Sequence, residues 1–194
     1  QADREWKITP FRELSQTHWL VIGFGPIGRE TTKRAKAFGA KVTVVRRSQD
    51  HAGLADAVAP PAEIESLLGQ ADVVVLACPL NDETRGMAGQ AFFGAMKEGT
   101  ILVNVARGAI IDDDALFAAL ETPRLATAIL DVFATEPLPA DSPFWAHPKI
   151  RMTSHTSFAG SGVRNRWDAL FLDNITRFVK GGPLVNEVDP ASLA

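Results

Sequence analysis

The chain has 194 residues, 46% hydrophobic and 22% charged, with a formal net charge of −3, which suits a folded globular domain able to bury roughly 70% of its unfolded surface. A slightly negative chain without a basic run argues against nucleic acid or an anionic membrane as the main partner, and no apolar stretch reaches the length of a membrane span. The opening QADREWKITP has neither a secretory signal pattern nor a methionine and reads as a truncated or processed chain, while the single cysteine, Cys78, excludes an internal disulfide and fits a reducing cytoplasm.

The first apolar run, His18 to Gly23, leads directly into Gly23-Phe24-Gly25-Pro26-Ile27-Gly28 and a helical pattern from Ile27 to Phe38. Gly23 permits the tight turn, Gly25 lets backbone approach a pyrophosphate, and Gly28 lets helix and strand pack closely. The helix start then offers unpaired N–H groups and a favourable dipole end to phosphate. Such a loop can be purely steric, but a strand before it and a helix after it favour the phosphate reading. The second run, Lys41 to Val45, ends at Arg46, Arg47 and Ser48. An NAD-binding domain places a carboxylate for the ribose hydroxyls about here, roughly 20 residues beyond the glycines. Two guanidiniums and a hydroxyl suit a 2′-phosphate instead, so NADP(H) is expected over NAD(H). The bland alternative is a pair of solvated arginines at a strand end.

Further along, a helical pattern from Ala62 to Leu68 precedes the run Asp72 to Cys78, which is followed by Pro79 and Leu80. Gln90 to Met96 is helical, and the run Ile101 to Ala106 ends at Arg107-Gly108. A helix from Asp113 to Leu120, the runs Thr127 to Val132 and Ile150 to Ser154, and a long helix from Val163 to Val179 complete the pattern. That last helix keeps Leu170, Ile175 and Phe178 at helical spacing and stops at Gly181-Gly182-Pro183. The runs are continuous rather than alternating, as in strands buried on both faces. Strands alternating with helices make an α/β fold, a doubly wound parallel sheet of Rossmann type. Nearly every unusual polar or glycine-rich motif falls at a strand's C-terminal end, the ligand edge of such a sheet.

Asn104-Val105-Ala106-Arg107-Gly108, Asp131-Val132-Phe133-Ala134-Thr135-Glu136-Pro137 and Ser154-His155 arrive in that order. With the glycine loop and Cys78-Pro79-Leu80, they resemble the D-isomer-specific 2-hydroxyacid dehydrogenases, most closely the glyoxylate/hydroxypyruvate reductase branch. The resemblance runs from about Trp19 to Glu187. It implies that Arg107 clamps the substrate carboxylate and adjacent carbonyl oxygen, that His155 is the general acid protonating that oxygen, and that Glu136 is its partner. It further implies that Asp131 orients the nicotinamide carboxamide, that Cys78 and Pro79 line the adenosine side, and that Thr84, Val105 and Ala106 lie near the cofactor. The substrate would be a small 2-keto acid, and the domain would pair as a homodimer. No metal is assigned.

These residue types suit that chemistry. Arginine is planar, bidentate and always charged; histidine titrates near working pH, at ~6.5; and a neighbouring carboxylate stabilises imidazolium. Taken singly, Arg107, Glu136 and His155 are as easily read as a turn arginine, a solvated loop carboxylate and a satisfied histidine. Their joint occurrence at successive strand ends favours the functional reading. His18, His51 and His147 are left structural, and Cys78 is read as a small buried hydrophobe. Family members carry a substrate domain of order a hundred residues before the glycine loop. Residues 1–169 are therefore expected to form the dinucleotide-binding domain with a short inter-domain connection, and 170–194 a helix and tail returning toward the missing domain. A rival from another class is a dinucleotide-sensing module like the corepressors that share this fold. Formate dehydrogenase, a second rival, has glutamine where this chain has Glu136.

Overall fold

The computed structural model describes residues 11–48 and 53–188, together with 4, 6 and 8. The chain divides into two compact units, Gln1–Met152 and Thr153–Ala194. The first unit contains the strands β1 (His18–Ile22), β2 (Lys41–Val45), β3 (Ala57–Ala59), β4 (Val73–Leu76), β5 (Thr100–Asn104), β6 (Leu125–Leu130) and β7 (Ile150–Met152). Its helices are α1 (Pro26–Ala37), α2 (Ile64–Leu68), α3 (Gln90–Ala95) and α4 (Asp113–Leu120). The strands form one seven-stranded sheet in the order β3-β2-β1-β4-β5-β6-β7, and every pairing is parallel. The doubly wound Rossmann-type fold expected from the sequence is therefore present.

Two cores hold the sheet. Leu20 and Ile22 of β1 point into the larger one, with Ile64 and Leu68 of α2, Phe92 and Phe93 of α3, and Leu116 and Leu120 of α4. Val21, between them, joins the smaller one with Val42, Val44, Val73, Val75 and Ala35 of α1. Successive side chains of one strand thus feed opposite faces, and both faces need apolar residues, so the runs are continuous. Burial on both faces fails toward β6, where Ile129 is 42% exposed.

The register fixes the site. Val45, Ile22, Leu76, Asn104, Leu130 and Met152 are successive partners across the sheet. The residues that follow each of them leave the sheet from one row. Between β1 and β4 the connections turn to opposite sides, the switch point at which such sheets bind ligands.

The opposite edge is tied by Asp72. Its carboxylate pairs with Arg12 and with Lys97 Nζ, the latter at 2.6 Å, and accepts the His18 N–H at 2.8 Å. Burial alone would raise the Asp72 carboxyl, but the Lys97 hydrogen bond, the His18 N–H and the two cations outweigh it and hold it below the ordinary carboxylate range.

The second unit carries α5 (Val163–Val179). It ends as the glycines require: Gly181 sits at φ +65, its N–H reaches the Phe178 carbonyl, and Gly182 N–H reaches that of Arg177. No residue of α5 is buried. The expected boundary between 169 and 170 falls inside this helix, which crosses it unbroken.

Candidate functional site

The glycine loop answers to different constraints at each glycine. Gly23 adopts φ +101, and a Cβ there would stand 2.5 Å from the Ala77 carbonyl oxygen. A Cβ on Gly28 would stand 2.1 Å from the Gly23 carbonyl oxygen, so helix α1 could not start against the end of β1. Gly25 is different: a Cβ there meets nothing within 4 Å, and its φ of −71 suits any residue. Protein packing does not demand that glycine, which leaves the space for a ligand. Helix α1 starts at Pro26, with no side-chain cap and no acidic residue in its first turn. Its N-terminal N–H groups and dipole end therefore suit an anion.

A cleft of about 510 Å³ opens beside this loop. Gly23, Phe24 and Gly25 form one wall, Arg46, Arg47 and Ser48 a second, and Cys78, Pro79 and Thr84 a third. The structure thus gathers nine of the sequence-predicted cofactor residues around one space. Pro26, Ile27 and Gly28 continue into α1 rather than lining it. Sequence reasoning missed Pro61 and Ile64, which close the cleft from the start of α2; the Pro60-Pro61 pair was the available signal of a turn there. Thr84 shapes the wall through its hydroxyl, which donates to the Pro79 carbonyl at 2.7 Å and accepts the Asn81 N–H at 2.9 Å. Burial pushes the Cys78 thiol up, which makes it a poor nucleophile.

The ends of β5 and β6 are built around Asn104. This side chain is fully buried; its amide donates to the Arg107 carbonyl and its oxygen accepts the Ala106 N–H, both at 3.0 Å. Its backbone carbonyl accepts the Asp131 N–H from the next strand end. One asparagine therefore holds Val105, Ala106 and Arg107 in a fixed turn and ties that turn to Asp131, which is itself buried. Gly108 completes the joint, since a Cβ there would lie 1.9 Å from the Phe133 carbonyl carbon. Arg107 is exposed, with one guanidinium nitrogen on the Ala106 carbonyl at 2.7 Å. Glu136 accepts the Phe133 N–H at 2.8 Å, folding the loop after β6 back on itself. No role was assigned to Asn104 or Gly108 from sequence, although a buried asparagine in a β-branched run must find partners.

His155 belongs to the second unit, three residues after the end of β7. It is a non-glycine residue at φ +53, a left-handed conformation costing of order 1–3 kcal/mol. Its ring meets Phe158 edge-on, with centroids 6.4 Å apart.

Residues 1–157 match the family model described as D-isomer specific 2-hydroxyacid dehydrogenase, NAD binding domain. The chain belongs to this family. It is 35% identical over 175 residues to a hydroxypyruvate reductase of Blautia hydrogenotrophica, an alignment covering 90% of this chain and 54% of that protein. A family structure from Aeromonas salmonicida superposes with a TM-score of 0.88 at 36% identity, over 97% of this chain and 60% of that one. An NADPH-dependent glyoxylate/hydroxypyruvate reductase of Sinorhizobium meliloti, solved with NADP and sulfate, superposes with a TM-score of 0.87 at 27% identity, covering 97% and 60%. The chain therefore spans about half the length of the hydroxypyruvate reductase. Among the described residues no group of three or more His, Cys, Asp or Glu is placed to hold a metal ion, and no helix is long and apolar enough to cross a membrane.

Proposed function

We propose that this chain is the cofactor-binding part of an NADPH-preferring reductase of small 2-keto acids of the glyoxylate/hydroxypyruvate kind. The observation that carries this reading is the cleft at the switch point. Its glycine loop leaves room at Gly25 alone, and its far wall presents Arg46, Arg47 and Ser48 where NAD-specific domains present a carboxylate. The Gly23–Gly28 loop and the start of α1 hold the pyrophosphate, and Arg46 reads the 2′-phosphate. When bound, the cofactor supplies the hydride.

The remaining roles rest on the resemblance of the strand-end motifs. Arg107 holds the substrate carboxylate; its exposure beyond a turn fixed by Asn104 suits that task. His155 delivers a proton to the developing alkoxide oxygen, with Glu136 as its partner, and Asp131 orients the carboxamide. The chain works together with a substrate domain, and the protein pairs as a homodimer. Reduction of a panel of 2-keto acids by the full-length protein, with NADPH and NADH in turn, tests the reading. Glyoxylate or hydroxypyruvate is expected to be turned over best with NADPH, and His155→Ala to slow it by roughly 10²–10⁴. Failure to reduce any 2-keto acid would overturn the proposal.

A further inference from the structure

Phe24, the residue between the first two glycines of the loop, is 7% exposed and packs in the smaller core with Val21, Val42 and Val44. A glycine loop does not by itself require an aromatic ring there. This ring has two guanidiniums beside it: the Arg29 Cζ lies 5.0 Å from its centroid and the Arg46 Cζ 5.5 Å. Arg29 comes from α1 and Arg46 from the end of β2, so one immobile ring joins the phosphate loop to the strand end beyond it. A guanidinium within about 6 Å of a ring centroid is attracted by the ring's negative face.

We propose that Phe24 is a positioning residue for cofactor choice, its ring holding the Arg46 guanidinium at the cleft wall where the 2′-phosphate of NADPH is read. This rests on the reading of Arg46 given above and adds to it one restraint on that long side chain, the Phe24 ring. An arginine at a strand end loses rotamer entropy when it grips a phosphate. A ring that already restrains it reduces that loss, so more of the phosphate's binding energy appears as affinity. NADH lacks the 2′-phosphate, and whatever the loop contributes to the pyrophosphate is shared by both cofactors and cancels between them. The ring's contribution must therefore appear in the ratio of the two affinities, not in dinucleotide binding as such.

The test is calorimetric titration of NADPH and NADH into the wild-type chain, Phe24→Leu, Arg46→Ala and the double variant, with thermal melts to establish folding. Phe24→Leu is expected to lower the NADPH-to-NADH affinity ratio about two- to fivefold, the worth of one such contact at a half-exposed site, NADPH affinity falling by that factor more than NADH affinity. Phe24→Tyr, which keeps the ring, is expected to keep the ratio, and in the Arg46→Ala background Phe24→Leu is expected to change it no further. If Phe24→Leu does not fold, Phe24→Met, flexible enough to fill the same space, takes its place. A ratio that falls with Arg46→Ala but not with Phe24→Leu overturns this inference and leaves the arginine reading standing. Equal loss of both cofactors in Phe24→Leu also overturns it, because the ring would then shape the glycine loop alone. A wild-type ratio near one overturns the arginine reading itself, and the inference with it.

Discussion

Gly25 and Gly28 lie three residues apart yet answer to different masters, ligand and fold. Gly28→Ala forces a methyl against the Gly23 carbonyl and should cost about 1–3 kcal/mol, lowering the melting temperature by several degrees. Gly25→Ala enters open space and should cost under ~1 kcal/mol, yet reduce dinucleotide affinity by tenfold or more. Melts and titrations of both variants check the pair, and an intact affinity in Gly25→Ala would remove the pyrophosphate from that position. Glu136 can be probed without breaking its loop, because glutamine also accepts the Phe133 N–H. If the carboxylate charge supports the acid, Glu136→Gln in the full-length protein should move the alkaline limb of the reduction profile to lower pH. An unmoved profile would leave Glu136 with its loop-folding role alone. At this scale the sequence made residue type and strand-end position legible. It hid Asn104 and Gly108, whose meaning lies in contacts made across neighbouring loops.

Among the elements, the ties at the two sheet edges differ in kind. At the ligand edge Asn104 and glycine packing, neither of which titrates, stand beside the Glu136 carboxylate that folds a loop, whereas the opposite edge depends on the Asp72 carboxylate joining Arg12, Lys97 and the start of β1. The folded carboxyl is held below its unfolded value, so its stabilisation is fully present above the unfolded pKa, ~3.9. It is lost as pH falls through the lower folded value. Asp72→Asn should therefore cost about 1–3 kcal/mol near neutrality, a drop of roughly 2–4 °C per kcal/mol. The gap to wild type should close in acid. Melting temperatures measured against pH check this, and two parallel curves would show that Asp72 carries no such charge-dependent tie.

The strands flanking the switch point were plain in the sequence because burial on both faces demands unbroken β-branched runs. β3 was not, since Ala57-Val58-Ala59 is an edge strand of only three residues, too short to show a run. The expected helix from Ala62 is divided into a 3-10 turn, Pro61–Glu63, and the short α2. α4 and α5 match their expected limits, the first because Asp112 caps it through the Ala115 N–H and the second because Gly181 stops it. No periodicity could show that α5 buries none of its residues, because burial depends on what a helix packs against.

For the molecule as a whole, cofactor binding and turnover should separate. The chain spans 54% of the hydroxypyruvate reductase it resembles, and a keto acid must be held against the hydride donor and shielded from water on more than one side. These 194 residues are expected to bind dinucleotide without reducing glyoxylate at an enzymatic rate; near-native kcat from them alone would contradict this. Binding therefore tests the account without any substrate. The most direct measurement is titration of the wild-type chain with NADPH and with NADH at low and high salt, alongside Arg46→Asp. One charge-assisted hydrogen bond to the 2′-phosphate implies roughly a 10- to 100-fold preference for NADPH at low salt. That preference should shrink as ionic strength rises and be abolished or reversed in Arg46→Asp. Equal affinities at low salt, or no binding of either dinucleotide, would contradict the account.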